Sequence, residues 1–198
     1  MRIGMFGGTF DPPHLGHLKL ASEACDQLKL DRLLWMLTPN PPHKPDQIIS
    51  GVNDRFAMLG LMLEDDPRFE ISRIEIDRPP PQYTVDTIAQ VRSERQTDAL
   101  ILLIGGDSLR DLPTWRDPIQ LTAWIDEIGV LLRPGVVIDL ASLETKIPGI
   151  TPKIRFVDSS PINIASSDIR KLVHAGRNIQ GMTASKVCDY IKSQNLYR

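Results

Sequence analysis

Cysteine is nearly absent: among 198 residues only Cys25 and Cys188 occur. They form no paired CxxC spacing, which argues against a disulfide framework or a cysteine-bound zinc. Both fall in segments of helical periodicity and read as buried, reduced thiols. Long apolar runs are also missing. The longest, Ala99 to Ile104, is far too short to cross a bilayer, and the stretch from Met1 has no apolar core ahead of a cleavage site. The expectation is a soluble, cytoplasmic protein with no membrane partner. Nor does charge of one sign prevail: 23 Lys and Arg face 25 Asp and Glu, a formal −2. That balance argues against a nucleic-acid polymer as partner, which needs a broad basic face, yet it allows a local phosphate site. No internal repeat, low-complexity tract or composition shift marks a boundary, and the Pro-rich stretches at 39–45 and 79–81 are too short for linkers. One domain over residues 1–198 is expected, and a chain of this length buries roughly 70% of its unfolded surface.

What is present is an alternation of short β-type runs with helical segments. Arg2–Phe6, Leu33–Leu37, Glu70–Asp77, Ala99–Ile104, Ile128–Leu132 and Ile154–Val157 read as strands. Helices are expected over Leu15–Leu28, over Arg55–Glu64 capped by Asn53, and over Thr84–Glu94, Asp168–Ala175 and Ala184–Gln194. This order implies an α/β fold, a doubly wound, mainly parallel sheet with helices on both faces. Ligands of such sheets sit at the carboxyl ends of the strands, where the strand order reverses.

The unusual residues lie just after strands. Gly7-Gly8-Thr9-Phe10-Asp11-Pro12-Pro13-His14-Leu15-Gly16-His17 follows the first one. Two glycines permit a tight turn and close ligand approach. The prolines suit a helix start, and the i, i+3 spacing puts His14 and His17 on one face of its first turn. HxxH alone fits a structural pair, a metal pair or phosphate donors. The flanking GGTFDP turn is no GxGxxG fingerprint and supplies no third metal ligand, so it favours phosphate.

Asn163-Ile164-Ala165-Ser166-Ser167-Asp168-Ile169-Arg170 opens a later helix, with Ser166 or Ser167 as the expected N-cap. Arg170 then stands in the first turn, where a cation opposes the helix dipole by about 0.3–1 kcal/mol. An anionic ligand held with the serine hydroxyls would relieve that cost; the other reading is an exposed Arg, paired with Asp168 or unpaired. On that placement, removing Arg170 should spare or slightly raise the stability of the ligand-free protein. Pro41-Pro42-His43-Lys44 aims a lysine on a stiffened loop, which by itself is equally an ordinary solvated side chain. Ile104-Gly105-Gly106-Asp107 ends the apolar strand with a carboxylate suited to ribose hydroxyls. Trp115 offers either a stacking face for a flat heterocycle or a core side chain. Tyr83-Thr84-Val85-Asp86-Thr87 makes a helix start whose N–H groups suit a small carboxylate.

Together, GGTFDPPHLGH and SSDIR resemble the two nucleotide-binding motifs of the nucleotidylyl transferase superfamily, a Rossmann-like fold. PPHK, YTVDT, IGGDSL…PTW and Tyr190-Ile191…Leu196-Tyr197 are similar, in order from Met1 to Arg198, to the bacterial nicotinate-mononucleotide adenylyltransferase family. The resemblance implies AMP transfer from ATP to nicotinate mononucleotide, giving deamido-NAD and pyrophosphate in NAD biosynthesis. Mg²⁺ would ride on the ATP phosphates, with no metal site of the protein's own. By the same resemblance His14, His17, Lys44 and Arg170 are catalytic, holding the ATP phosphates. Gly7, Gly8, Thr9, Phe10, Gly105, Asp107, Ser166 and Ser167 complete the ATP site. Gly8, Asp11, Lys44, Thr84, Thr87 and Trp115 would bind nicotinate mononucleotide. The chain departs from the family pattern at Ala165, where a serine is usual, in a shorter segment Thr38-Pro39-Asn40, and at Arg116, where aromatics are frequent.

No GxSxG-type nucleophile and base occurs, and neither cysteine falls within a motif, so direct in-line attack on the α-phosphorus is expected. A related transferase with a phosphopantetheine or alcohol-phosphate acceptor is the nearest alternative, and a non-catalytic nucleotide-binding module the more distant one. A homo-oligomer is compatible with the sequence.

Overall fold

The computed structural model describes residues 1–39, 49–131, 137–158 and 163–198. Its strands are β1 (Arg2–Gly8), β2 (Arg32–Leu37), β3 (Phe69–Ser72), β4 (Ala99–Gly105), β5 (Glu127–Leu131) and β6 (Ile154–Val157). All pair in parallel in one sheet of order β3-β2-β1-β4-β5-β6. The helices are α1 (Leu15–Gln27), α2 (Val52–Leu63), α3 (Ile74–Asp77), α4 (Thr84–Glu94), α5 (Gly106–Asp111), α6 (Pro118–Trp124), α7 (Leu140–Lys146), α8 (Ser166–His174) and α9 (Ser185–Ser193). The expected doubly wound α/β architecture is present.

Side chains of the central strands alternate between two apolar layers. Phe6, Trp35, Ile101 and Leu103 point to one, where Ala24, Met58, Ile169, Val187 and Ile191 bring in α1, α2, α8 and α9. Met5, Leu34, Leu102 and Val130 point to the other, against Val85 and Ile88 of α4 and Leu109, Leu121 and Leu143 of α5 to α7. Burial on both faces is why these strands read as nearly unbroken apolar runs. Cys25 is buried in the first layer and Cys188 packs at its edge, partly buried.

Four local expectations need correction. Residues 70–77 form not one strand but β3 and the short α3. Asn53 does not cap α2 but lies within it; the helix begins at Val52, three residues before the expected start at Arg55, with Gly51 as N-cap. Pro12 and Pro13 precede α1 instead of opening it, because His14 is the N-cap. Neither Ser166 nor Ser167 caps α8; Ala165 does, without a side-chain hydrogen bond. The PPHK segment with Lys44, and Leu132, lie outside the described residues.

Strand order reverses between β1 and β4. Crossovers on either side of this point leave in opposite directions, so the carboxyl ends of β1 and β4 open a crevice.

Candidate active site

β1 continues through Gly7 and Gly8, which pair with Met36 and Leu37 of β2, so the chain turns only at Thr9. A Cβ on Gly8 would lie 2.6 Å from the Phe10 ring. Phe10 is 2% exposed and left-handed at φ 49°. Its ring meets those of His17 and Phe6 edge-on, at 5.1 and 5.8 Å. Gly8 is therefore glycine because an aromatic that braces His17 occupies its side-chain space.

His14 and His17 form a reciprocal cap at the start of α1. The His17 N–H donates to His14 Nδ1 (3.3 Å), and the His14 N–H donates to His17 Nδ1 (3.2 Å). The rings stack 3.6 Å apart at 23°. An Nδ1 that accepts a hydrogen bond carries no proton, so each neutral imidazole bears its proton on Nε2. A Cβ on Gly16 would lie 3.0 Å from His14 Nδ1, so glycine there makes room for the capping imidazole, while the Ile164 carbonyl of the segment before α8 stands at ordinary contact distance, 3.7 Å.

That segment joins the two motifs. Ser166 Oγ donates to the Pro12 carbonyl (2.9 Å), and Arg170 Nη1 to the Asp11 carbonyl (2.7 Å). Ser167 and Asp168 are exposed. Arg170, the fifth residue of α8, stands in the second turn, where the dipole penalty has faded, and bonds to Asp11 and not to Asp168. The Asp11 carboxylate, 3% exposed, accepts from the Tyr197 hydroxyl on one oxygen and the Ser50 N–H on the other.

The crevice holds a cavity of about 410 Å³, lined at its sheet end by Gly7, Gly8, Thr9, Thr38 and Gly105. A Cβ on Gly7 or Gly105 would meet nothing within 4 Å; glycine at both leaves cleft volume open instead of relieving an internal clash. Thr84, Thr87, Trp115 and Arg116 line the other end. Trp115 is half-buried: it packs against the apolar layer of α4 to α7, as the core reading expects, and also lines the cavity. Arg116 is exposed over the Tyr83 ring at 5.5 Å. Tyr83 gives α4 no side-chain cap. The Thr87 hydroxyl is engaged: it donates to Glu75 Oε1 (3.1 Å) and accepts from Arg78 Nη2 (2.9 Å).

Glu75 also lines the cavity and is 7% exposed; burial pushes its carboxyl above the usual range, against hydrogen bonds from Thr38 and Thr87 and the charge of Arg78. Asp107 is exposed, does not line the cavity, and pairs with Arg110 at 3.1 Å. His14, His17, Ser166 and Arg170 lie outside the lining and meet it through the turn at Gly8 and Thr9.

Sequence reasoning missed Glu75 and Arg55. Arg55, 2% exposed, donates to the carbonyls of Thr9, Thr38, Pro39 and Ser50, tying the loop after β1 to that after β2. Its signal was available: Arg55 stands at the spacing of Met58, Leu59 and Met62, a cation on an apolar helical stripe. Glu75 left no comparable trace.

A reversal-point cleft with an imidazole pair at one helix start and an arginine on a second helix is an arrangement for handling nucleotide phosphates. The family model described as cytidylyltransferase-like matches residues 5–172. A probable nicotinate-nucleotide adenylyltransferase of Thermomicrobium roseum is 42% identical over 197 residues, covering 100% of this chain and 92% of that protein. Its counterpart in Thermus thermophilus is 38% identical over 198 residues, 100% of both chains. A solved structure, the Plasmodium falciparum nicotinic acid mononucleotide adenylyltransferase complexed with NaAD, shares the fold with a TM-score of 0.80 at 18% identity, over 99% of this chain and 97% of that one. The chain belongs to the nicotinate-nucleotide adenylyltransferase family.

Proposed function

We propose that this chain, acting as a single nucleotidylyl transferase domain, transfers AMP from ATP to nicotinate mononucleotide, releasing pyrophosphate and forming deamido-NAD. The observation that carries the reading is the joining of the α1 and α8 starts by the Ser166–Pro12 and Arg170–Asp11 hydrogen bonds, beside a cleft kept open by Gly7 and Gly105. A phosphate oxygen of the mononucleotide attacks the α-phosphorus of ATP in line; the new O–P bond forms as the bond to the β-phosphate oxygen breaks. No covalent enzyme intermediate is needed, so the protein contributes orientation and charge stabilisation.

The reciprocal cap sets the roles of the histidines. It consumes both Nδ1 atoms, so Nε2–H of His14 and His17 donates to the α- and β-phosphates. Arg170 spends one N–H group on Asp11 and keeps others for the β- and γ-phosphates, together with Lys44. Gly7, Gly8, Thr9 and Gly105 bring backbone close to ATP, braced by Phe10, with Asp107 on the adenosine side and Ser166 and Ser167 at the phosphate end. Mg²⁺ carried by the ATP phosphates would offset charge on the departing pyrophosphate, held by phosphate and water oxygens; among the described residues no group of three His, Cys, Asp or Glu gathers that could hold it.

The pyridine ring stacks on Trp115, and its carboxylate faces the uncapped start of α4 at Thr84, with Arg116 adding positive charge. Thr87 contributes through its bond to Glu75, and Asp11 through its backbone, since its carboxylate is already engaged. The acid should be preferred over the amide: an NH₂ facing N–H donors forfeits a charge-assisted bond, worth about 1–3 kcal/mol, or at least roughly tenfold in kcat/KM. Pyrophosphate release measured side by side with nicotinate and nicotinamide mononucleotide tests both statements. No release with either removes the function; equal kcat/KM removes only the pyridine-pocket assignment.

A further inference from the structure

We propose that Tyr197 is a positioning residue for the phosphate turn, acting on His14 and His17 through the buried carboxylate of Asp11; the proposal rests on the reading of that turn as the phosphate site. The turn between β1 and α1 is held by its carbonyls. Thr9 O accepts from Arg55, Asp11 O from Arg170, Pro12 O from Ser166 and Pro13 O from Thr183. These bonds fix the backbone path from outside. Asp11 is where a side chain of the turn itself reaches back, and its carboxylate is shielded from water.

A buried carboxylate without donors is costly. Here Oδ1 accepts from the Tyr197 hydroxyl at 2.6 Å, and Oδ2 from the Ser50 N–H at 3.2 Å. The tyrosine bond is the shorter and is charge-assisted. Burial and the Asp11 charge push the Tyr197 hydroxyl far above its ordinary pKa, so it stays a donor at any physiological pH.

Delivering that hydroxyl requires an unusual backbone. After α9 the chain turns left-handed at Asn195 (φ 51°), where asparagine ends helices readily, and again at Tyr197 itself (φ 64°), and Phe10, next to Asp11, is left-handed as well. Such a conformation costs a non-glycine residue about 1–2 kcal/mol and persists where surrounding contacts over-determine it. The α9 segment is anchored so that it can supply those contacts: Tyr190 donates to Asp54 of α2 at 2.9 Å, and Lys186 pairs with Glu64. Strained backbone thus stands at both ends of one short hydrogen bond, 186 positions apart in sequence.

Its effect on chemistry follows from adjacency. Asp11 follows Phe10, whose ring edges His17, and precedes His14 by three residues. Losing the hydroxyl lets the carboxylate seek water and shifts both neighbours, and misplacement of about 1 Å can cost up to ~10²-fold in rate.

The test uses Y197F, which keeps the ring and removes one oxygen, together with D11N and the double variant. Y197F should lower kcat about tenfold at saturating substrates while KM for nicotinate mononucleotide stays within about twofold. The double variant should be no worse than the poorer single one, as for residues acting as a unit. A purely structural bond would lower Tm and leave kcat at wild-type values well below Tm. A second readout needs no turnover: imidazole NMR signals of His14 and His17 should shift in Y197F, while those of His174, at the far end of α8, stay in place. Wild-type kcat in Y197F, additive losses in the double variant, or unmoved His14 and His17 signals would each overturn the proposal. If wild-type protein releases no pyrophosphate at all, the functional reading fails, and the imidazole signals still decide the positioning role.

Discussion

His14 and His17 cap one another, each imidazole Nδ1 accepting the other residue's backbone N–H across a ring stack of 3.6 Å. Helix starts usually take a Ser, Thr or Asp oxygen for this purpose, with a Glu or Gln three residues on reaching back. Two imidazoles doing both jobs have their ring orientations tied to the helix start before any substrate arrives.

Substitution at His17 therefore has two separable effects. H17A should lower kcat by about 10² or more through loss of a transition-state donor. It should also lower stability by about 1 kcal/mol through loss of the reach-back cap. H17Q puts an amide oxygen where Nδ1 was and should recover most of the Tm without recovering kcat. Thermal melts and steady-state rates on the two variants check this; recovery of kcat in H17Q would remove the imidazole from the chemistry.

R170A should destabilise the ligand-free protein, by about 1.5 kcal/mol, the order of a hydrogen bond from a charged donor. This reverses the expectation drawn from the helix dipole, because Arg170 lies beyond the first turn and holds the Asp11 carbonyl. ATP affinity should fall as well. Denaturant titration decides it: an unchanged or raised midpoint restores the dipole argument.

At Ala165 the first turn of α8 lacks a side-chain cap. A165S should add an acceptor there and raise stability by about 1 kcal/mol. The new hydroxyl satisfies N–H groups that the proposed site would turn to phosphate, so KM for ATP should stay level or rise. Calorimetry of A165S alongside ATP titration reads both; an unchanged Tm would show that the start of α8 is already satisfied.

Glu75 predicts a pH dependence of stability. Burial raises its folded pKa above the unfolded value near 4.5, so the folded state holds the proton more tightly. The stability this provides is complete below the unfolded pKa and is lost as pH rises through the folded one. E75Q mimics the protonated form and does not titrate. Its Tm relative to wild type should accordingly be more favourable at pH 7 than at pH 4. A difference that is constant across that range would mean Glu75 ionises folded much as it does unfolded.

Residues 84–94 and 154–157 were legible to the residue, because the apolar period is long in α4 and the short β6 is bounded by Pro152-Lys153 and Asp158. The short helices α3, α5, α6 and α7 were not, since four to seven residues carry too little period to distinguish from loop. At α8 the cap assignment failed because a serine with the right side chain has another occupation. Ser166 spends its hydroxyl on the Pro12 carbonyl, 154 positions away, and leaves the cap to Ala165.

Local chemistry by itself determined the alternation of strands and helices, the parallel sheet, and which segments carry phosphate-type residues. Each of these rests on nearest neighbours along the chain: periodicity, glycine and proline punctuation, and motif spacing. Tertiary structure alone decided that Arg55, Ser166, Arg170 and Thr183 spend hydrogen bonds on the carbonyls of one turn, and that Tyr197 closes on Asp11. Those partners are set by which groups become buried together, and each polar group shut away from water must find its complement wherever the fold has brought one.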